Sequence, residues 1–170
     1  KNNGQNVFGY INRDEVYTEG IEVDANYQLN DNVDISGGYQ LLYAKDSNKK
    51  EAVDRGEVFY RDPETLETRT IDQSEYFGLP NRSRHLANFK IYYKWKAENA
   101  YANLRVNYRS KYALFDTNGN GLIDVYDNSF VDGFSTVNLS VGKTLFNDYE
   151  LQLVGENILD NEQTGLLNLP

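Results

Sequence analysis

The chain has 170 residues and a formal net charge of −9, and its lysines and arginines are dispersed along it, so it lacks the basic patch of a nucleic-acid binder. Cysteine is absent, which excludes a disulfide scaffold, a zinc–thiolate centre and cysteine catalysis. Apolar residues make up 39% and no run of roughly 18 of them offers a transmembrane helix, although barrel strands alternate and never show such a run.

Both ends, Lys1-Asn2-Asn3-Gly4-Gln5-Asn6 and Leu169-Pro170, read as cuts through a longer protein. A strand end is expected around Phe8 to Asn12. From Ile21 the pattern has period two: Ile21, Val23, Ala25, Tyr27 and Leu29 form one face, and Glu22, Asp24, Asn26 and Gln28 the other. Val33, Ile35, Gly37, Tyr39, Leu41 and Tyr43 continue it against Asp34, Ser36, Gly38 and Gln40. Between them Asn30-Asp31-Asn32 supplies residues that tolerate positive φ, which predicts a hairpin.

A second hairpin is expected from His85 to Trp95 and from Ala100 to Arg109, with a tight turn near Glu98-Asn99. A third runs from Val137 to Val141 and from Tyr149 to Leu153, around Phe146-Asn147-Asp148. The turns are short, whereas the links over 46–84 and 112–133 are long. Short and long connections therefore alternate, as periplasmic turns and extracellular loops do in an outer-membrane barrel.

The polar face mixes Asn26, Gln28, Ser36, Gln40, Asn88, Asn103, Arg105, Asn107, Asn138, Ser140 and Gln152, a composition suited to a hydrated or plugged lumen. On the apolar face Tyr27, Tyr43, Tyr93, Trp95, Tyr108 and Tyr149 lie near segment ends, where interfacial girdle residues belong. Ordinary core aromatics of a soluble sheet are the alternative. Six long strands cannot close a natural outer-membrane barrel, which needs at least about eight, so the barrel reading makes this chain an arc of something larger.

One local motif carries metal chemistry. In Asp116-Thr117-Asn118-Gly119-Asn120-Gly121-Leu122-Ile123-Asp124-Val125-Tyr126-Asp127, oxygen side chains fall at positions 1, 3, 5, 9 and 12. Calcium takes about six to eight hard oxygen ligands, which the side chains of Asp116, Asn118, Asn120, Asp124 and Asp127 and the carbonyl of Leu122 would supply. Gly121, at position 6, permits the sharp bend. Flanking strands rather than helices make the expected ion a structural clip, and an ion-free Asn-Gly surface loop is the other reading.

His85 is the only histidine and is expected to brace the base of a loop by a hydrogen bond. The acidic residues Asp46, Glu51, Asp54, Glu57, Asp62, Glu64, Glu67, Asp72 and Glu75 stud the first long connection as a solvated exterior. No G-x-S-x-G, P-loop, dinucleotide fingerprint or H-E-x-x-H is present, and no catalytic residue is assigned.

These segments together resemble the C-terminal part of the barrel of TonB-dependent outer-membrane receptors of Bacteroidetes-like bacteria. Tyr17-Thr18-Glu19-Gly20-Ile21-Glu22-Val23 resembles a recurring strand opening, with Glu19 where arginine or lysine is common. Leu79 to Asn88 and Val137 to Thr144 are similar to family strand motifs, and Gly155-Glu156-Asn157-Ile158-Leu159-Asp160 to the segment before the last strand. Asp116 to Asp127 resembles a calcium-type insert, bounded here as 113–133.

The resemblance implies an all-β antiparallel meander within a transmembrane barrel of about 22 strands, with long extracellular loops. It makes 1–170 the C-terminal portion of the barrel, without the plug domain and the final strand. It implies an outer-membrane location in a Gram-negative bacterium and uptake of a scarce nutrient: siderophore-bound iron, haem, cobalamin or a related ligand. The implied partners are the rest of the barrel, the plug, a TonB-type energy-coupling protein reached through that plug, and the nutrient. A surface lipoprotein is a further partner the resemblance admits. A soluble calcium-binding adhesion or carbohydrate-binding module is the alternative.

Overall fold

The computed structural model describes residues 15–146 and 148–161. The strand end expected around Phe8 to Asn12 lies outside them. Strands β1 (Val16–Asn30) and β2 (Val33–Asp46) form the first hairpin. The first long connection holds helix α1 (Ser47–Asp54) and the short strands β3 (Phe59–Arg61), β4 (Thr68–Thr70) and β5 (Tyr76–Gly78). Strands β6 (His85–Trp95) and β7 (Ala100–Arg109) make the second hairpin. The second connection carries β8 (Tyr112–Ala113), β9 (Ile123–Asp124) and β10 (Phe130–Val131), and β11 (Phe134–Leu145) and β12 (Tyr149–Gly155) complete the third hairpin.

The long strands form one antiparallel sheet in the order β1-β2-β6-β7-β11-β12. Each lies beside its predecessor among the long strands, so the expected meander is the observed one. Its register stacks one residue type per row: Tyr27, Ile35, Ile91, Leu104 and Leu139 follow one another across five strands. On the opposite face Asn26, Ser36, Lys90, Arg105 and Asn138 form the matching polar row. Period-two alternation in every strand makes this segregation automatic once the register is set.

The first turn differs from its expected form. None of Asn30, Asp31 and Asn32 has a positive φ. Instead Asn32 N donates to Asn30 Oδ1 at 2.9 Å, and the register shifts between Gln28 and Asn30. An Asx turn closes the chain and the irregularity supplies added twist, so no left-handed residue is needed. The second turn does use one, Asn99 at φ 46, and so does the third, Phe146 at φ 54.

Burial is distributed unusually. All the buried apolar side chains among the described residues lie between Ala44 and Val131, that is, in the long connections and the strand ends that carry them. Among the described residues no second layer covers the apolar face of the six-stranded sheet: Val23 is 58% exposed, Leu104 is half-buried, and Leu153 is 71% exposed. No helix among the described residues is long and apolar enough to cross a membrane, which has no bearing on strands.

Candidate functional site

The two long connections build one cap at the end of the sheet where β2 finishes and β6 begins. In the first, Asp46 caps α1 by accepting from Lys49 N at 3.2 Å. β3 and β4 then form a small hairpin with Tyr60 opposite Arg69. Val53, Val58, Ile71 and Tyr76 turn inward around Leu122 of the second connection. Phe77 packs with Ala113, Ile123 and Phe130 in a second cluster. A merely solvated loop would not carry Val53, Val58, Ile71, Tyr76 and Phe77; those apolar residues are the sequence signal for this cap.

Several acidic residues of the first connection help to hold it, while Asp54, Glu64 and Glu67 stay on its exposed surface. Arg55 bonds both Glu57 carboxylate oxygens at 2.9 Å. Asp62 accepts from the backbone N–H groups of Glu64 and Thr65 at 2.8 and 2.9 Å. Asp72 accepts from Ser74 N at 2.7 Å, and Arg69 pairs with Glu75 at 3.0 Å. His85 sits where the chain re-enters the wall. Its Nδ1 shares a 2.7 Å hydrogen bond with the Tyr39 hydroxyl, and its backbone N–H donates to Ser110 Oγ at 3.0 Å. Beside it Arg109, which sequence reasoning passed over, donates to Ser83 Oγ at 2.8 Å and Asn81 Oδ1 at 2.9 Å, with its guanidinium 3.7 Å from the Tyr112 ring centre.

The segment 116–127 folds around its own oxygens. Asp116 accepts from Gly119 N and Gly121 N, both at 2.7 Å, a bend that Gly121 permits at φ +88. Asp127 accepts from Thr117 N at 2.6 Å and Asn118 N at 3.2 Å with one oxygen, and from Asp124 N at 2.8 Å with the other. Asn118 Oδ1 accepts from Asn120 N, and Asn120 Oδ1 accepts from Leu122 N at 3.2 Å.

Asp124 is the centre of this loop and is fully buried. Its carboxylate accepts from Asn118 Nδ2 at 3.0 Å, Asn120 Nδ2 at 2.6 Å and Tyr126 N at 2.7 Å. Burial pushes its carboxyl above the usual range; the two amide bonds oppose this, and the charges of Asp127 and Asp116 add to it. Among the described residues no lysine or arginine forms an ion pair with Asp116, Asp124 or Asp127. Nor do three His, Cys, Asp or Glu side chains gather closely enough to hold a metal by themselves. The donor chemistry nevertheless suits a hard cation: carboxylates, amide oxygens and a backbone carbonyl.

The polar face of the sheet supplies the other candidate surface. A shallow groove of about 340 Å³ crosses it, lined by Glu22 and Asp24 of β1, Asn88 of β6 and Asn107 and Arg109 of β7.

An antiparallel wall with one apolar and one polar face, short turns at one end and a folded cap at the other, matches the strand pattern of outer-membrane-type β-barrels. The sequence places the chain within that class: residues 1–158 match the family model described as TonB dependent receptor-like, beta-barrel. The chain belongs to the TonB-dependent receptor-like β-barrel family, whose members are transport-related outer-membrane receptors and not enzymes. Among curated proteins none matches this chain.

Proposed function

We propose that this chain is an arc of a closed transmembrane barrel and its extracellular cap, in an outer-membrane receptor that takes up a scarce nutrient such as siderophore-bound iron, haem or cobalamin. The carrying observation is the exposed apolar face, which no layer among the described residues covers, while the buried core of those residues sits in the cap. A soluble adhesion or carbohydrate-binding sheet would bury that face as its core. Lipid covers it here, and the polar rows look into the lumen, where the plug domain and the nutrient meet them. The outer edges of β1 and β12, which no other strand among the described residues pairs, join the rest of the wall, and energy reaches the receptor through the plug from a TonB-type partner.

The test uses single cysteines at Val23, Leu104 and Leu153, and at Asn103 and Arg105, in the whole receptor, each carrying a fluorophore. Lipids with a spin label on the acyl chain should quench the first three and spare the other two. Equal quenching of both sets would end the lipid-facing assignment.

A calcium ion in the 116–127 loop is part of the same proposal. Asp116, Asn118, Asn120, Leu122 through its carbonyl, Asp124 and Asp127 would hold it. A half-turn of the Asn118 and Asn120 amides would present oxygen where nitrogen now faces Asp124. The ion would neutralise the buried carboxylate and order the loop as a structural clip.

A further inference from the structure

We propose that the two long connections open and close as one cooperative unit, with the dipeptide Leu122-Ile123 as its keystone, so that an event at the 116–127 loop is felt throughout residues 47–84 and the reverse. This goes beyond the transport reading and holds whether or not calcium occupies the loop.

The connections are joined by a ladder between segments 45 to 48 residues apart in the chain: Tyr76 pairs with Asp124 and Gly78 with Ile123. Val125 N extends it by donating to Glu75 O at 3.1 Å. Because side chains alternate along a strand, adjacent residues of the second connection enter different clusters. Leu122 completes the cluster of Val53, Val58, Ile71 and Tyr76, and Ile123 completes the one containing Phe77 and Phe130. Neither cluster belongs to one connection alone.

Polar and aromatic contacts repeat the crossing. Tyr60 stacks on Tyr126 with ring centres 4.2 Å apart, and Arg69 lies 4.4 Å over the Tyr126 ring. Glu75 accepts from the Tyr126 hydroxyl and pairs with Arg69. Phe77 meets Phe130 edge-on at 5.0 Å, and Asn81 N donates to Ala113 O at 2.7 Å. The route reaches the wall through Tyr76, whose hydroxyl accepts from Asp46 N at 3.1 Å at the end of β2.

A unit whose buried contacts are shared cannot lose one half and keep the other, because each half alone leaves its apolar side chains in water. Coupling of this kind is reciprocal.

The test is amide hydrogen exchange on the whole receptor in lipid or detergent. In the unaltered protein, peptides covering 68–79 and 112–131 should open together, with one protection level and one denaturant dependence. Leu122→Ala should speed exchange across 52–60 and 71–78 by roughly tenfold or more while leaving β1 and β6 unchanged. Ile71→Ala should speed exchange across 117–127 comparably. Separate opening of the two segments in the unaltered protein, or substitutions that act only within their own connection, would overturn the proposal. Should Leu122→Ala fail to assemble, the measurement on the unaltered receptor decides.

Discussion

The ring of Tyr101 occupies the space that a side chain at Gly142 would fill. A Cβ built on Gly142 would lie 2.5 Å from two of the ring carbons and 2.7 Å from the hydroxyl oxygen. Tyr101 and Gln152 are the partners of Gly142 on either side, so the phenol reaches across β11 to β12. There it donates to Glu150 Oε1 at 2.9 Å and accepts from Gln152 Nε2 at 3.0 Å. Glycine in a central strand ordinarily weakens it; here it opens the passage by which one tyrosine ties three strands. Gly142→Ala should therefore cost about 0.5–1.5 kcal/mol by displacing the ring from its two exposed hydrogen bonds. In the double variant with Tyr101→Ala the two effects should sum to less than their separate values, as urea unfolding in lipid would show. Full additivity would mean that the two residues do not share this space.

The stacked rows turn the membrane reading into a graded expectation. Leu104 lies in the row of Tyr27, Ile35, Ile91 and Leu139, two steps along the same face from the row of Val23, Tyr39 and Tyr108. Leu104→Arg should cost about 2–4 kcal/mol near the midplane, and Val23→Arg less, nearer the interface. Refolding equilibria in vesicles measure both. A charge tolerated freely at Leu104 would contradict burial in hydrocarbon.

Calcium makes a separate prediction. Chelation, or Asp124→Ala, should raise the protease sensitivity of 112–133, and added calcium should restore order only to the unaltered receptor. Terbium luminescence, excited through a nearby tyrosine, reports binding directly. Unchanged cleavage and no terbium signal would leave the loop to its own hydrogen bonds.

Acid should act on the first connection through Asp72. The Ser74 hydroxyl and backbone N–H hold its carboxyl below the usual range. A depressed folded value means that the stabilisation is fully present above the ordinary aspartate value and is lost as pH falls through the lower, folded one. The segment 72–75 should thus keep its order at pH values that already protonate free aspartate, then fray under stronger acid. Amide exchange or carbon shifts of the Asp72 carboxyl follow this, and a titration at the ordinary value would refute it.

The wall was legible because its information is local. Alternation at Ile21–Leu29, the Asx residues at 30–32 and the short links near 98 and 147 define hairpins from near neighbours alone. The 116–127 motif was also legible as a loop folded on its own Asp and Asn side chains, since Asx residues at these spacings bond nearby backbone N–H groups. Their hydrogen bonds to one another were not: whether Asn118 and Asn120 turn oxygen or nitrogen to Asp124 depends on what lies around that carboxylate.

The amino-acid order by itself thus determined the six long strands, their two faces and the meander, because a period of two acts residue by residue and survives any loop length. Only the tertiary structure decided that the two long connections are one body. Pairing Tyr76 with Asp124 across 48 residues depends on where the hairpins set the loop ends. Once those ends are brought close, shared burial of Ile71, Tyr76, Leu122 and Ile123 offsets the entropy of ordering both connections.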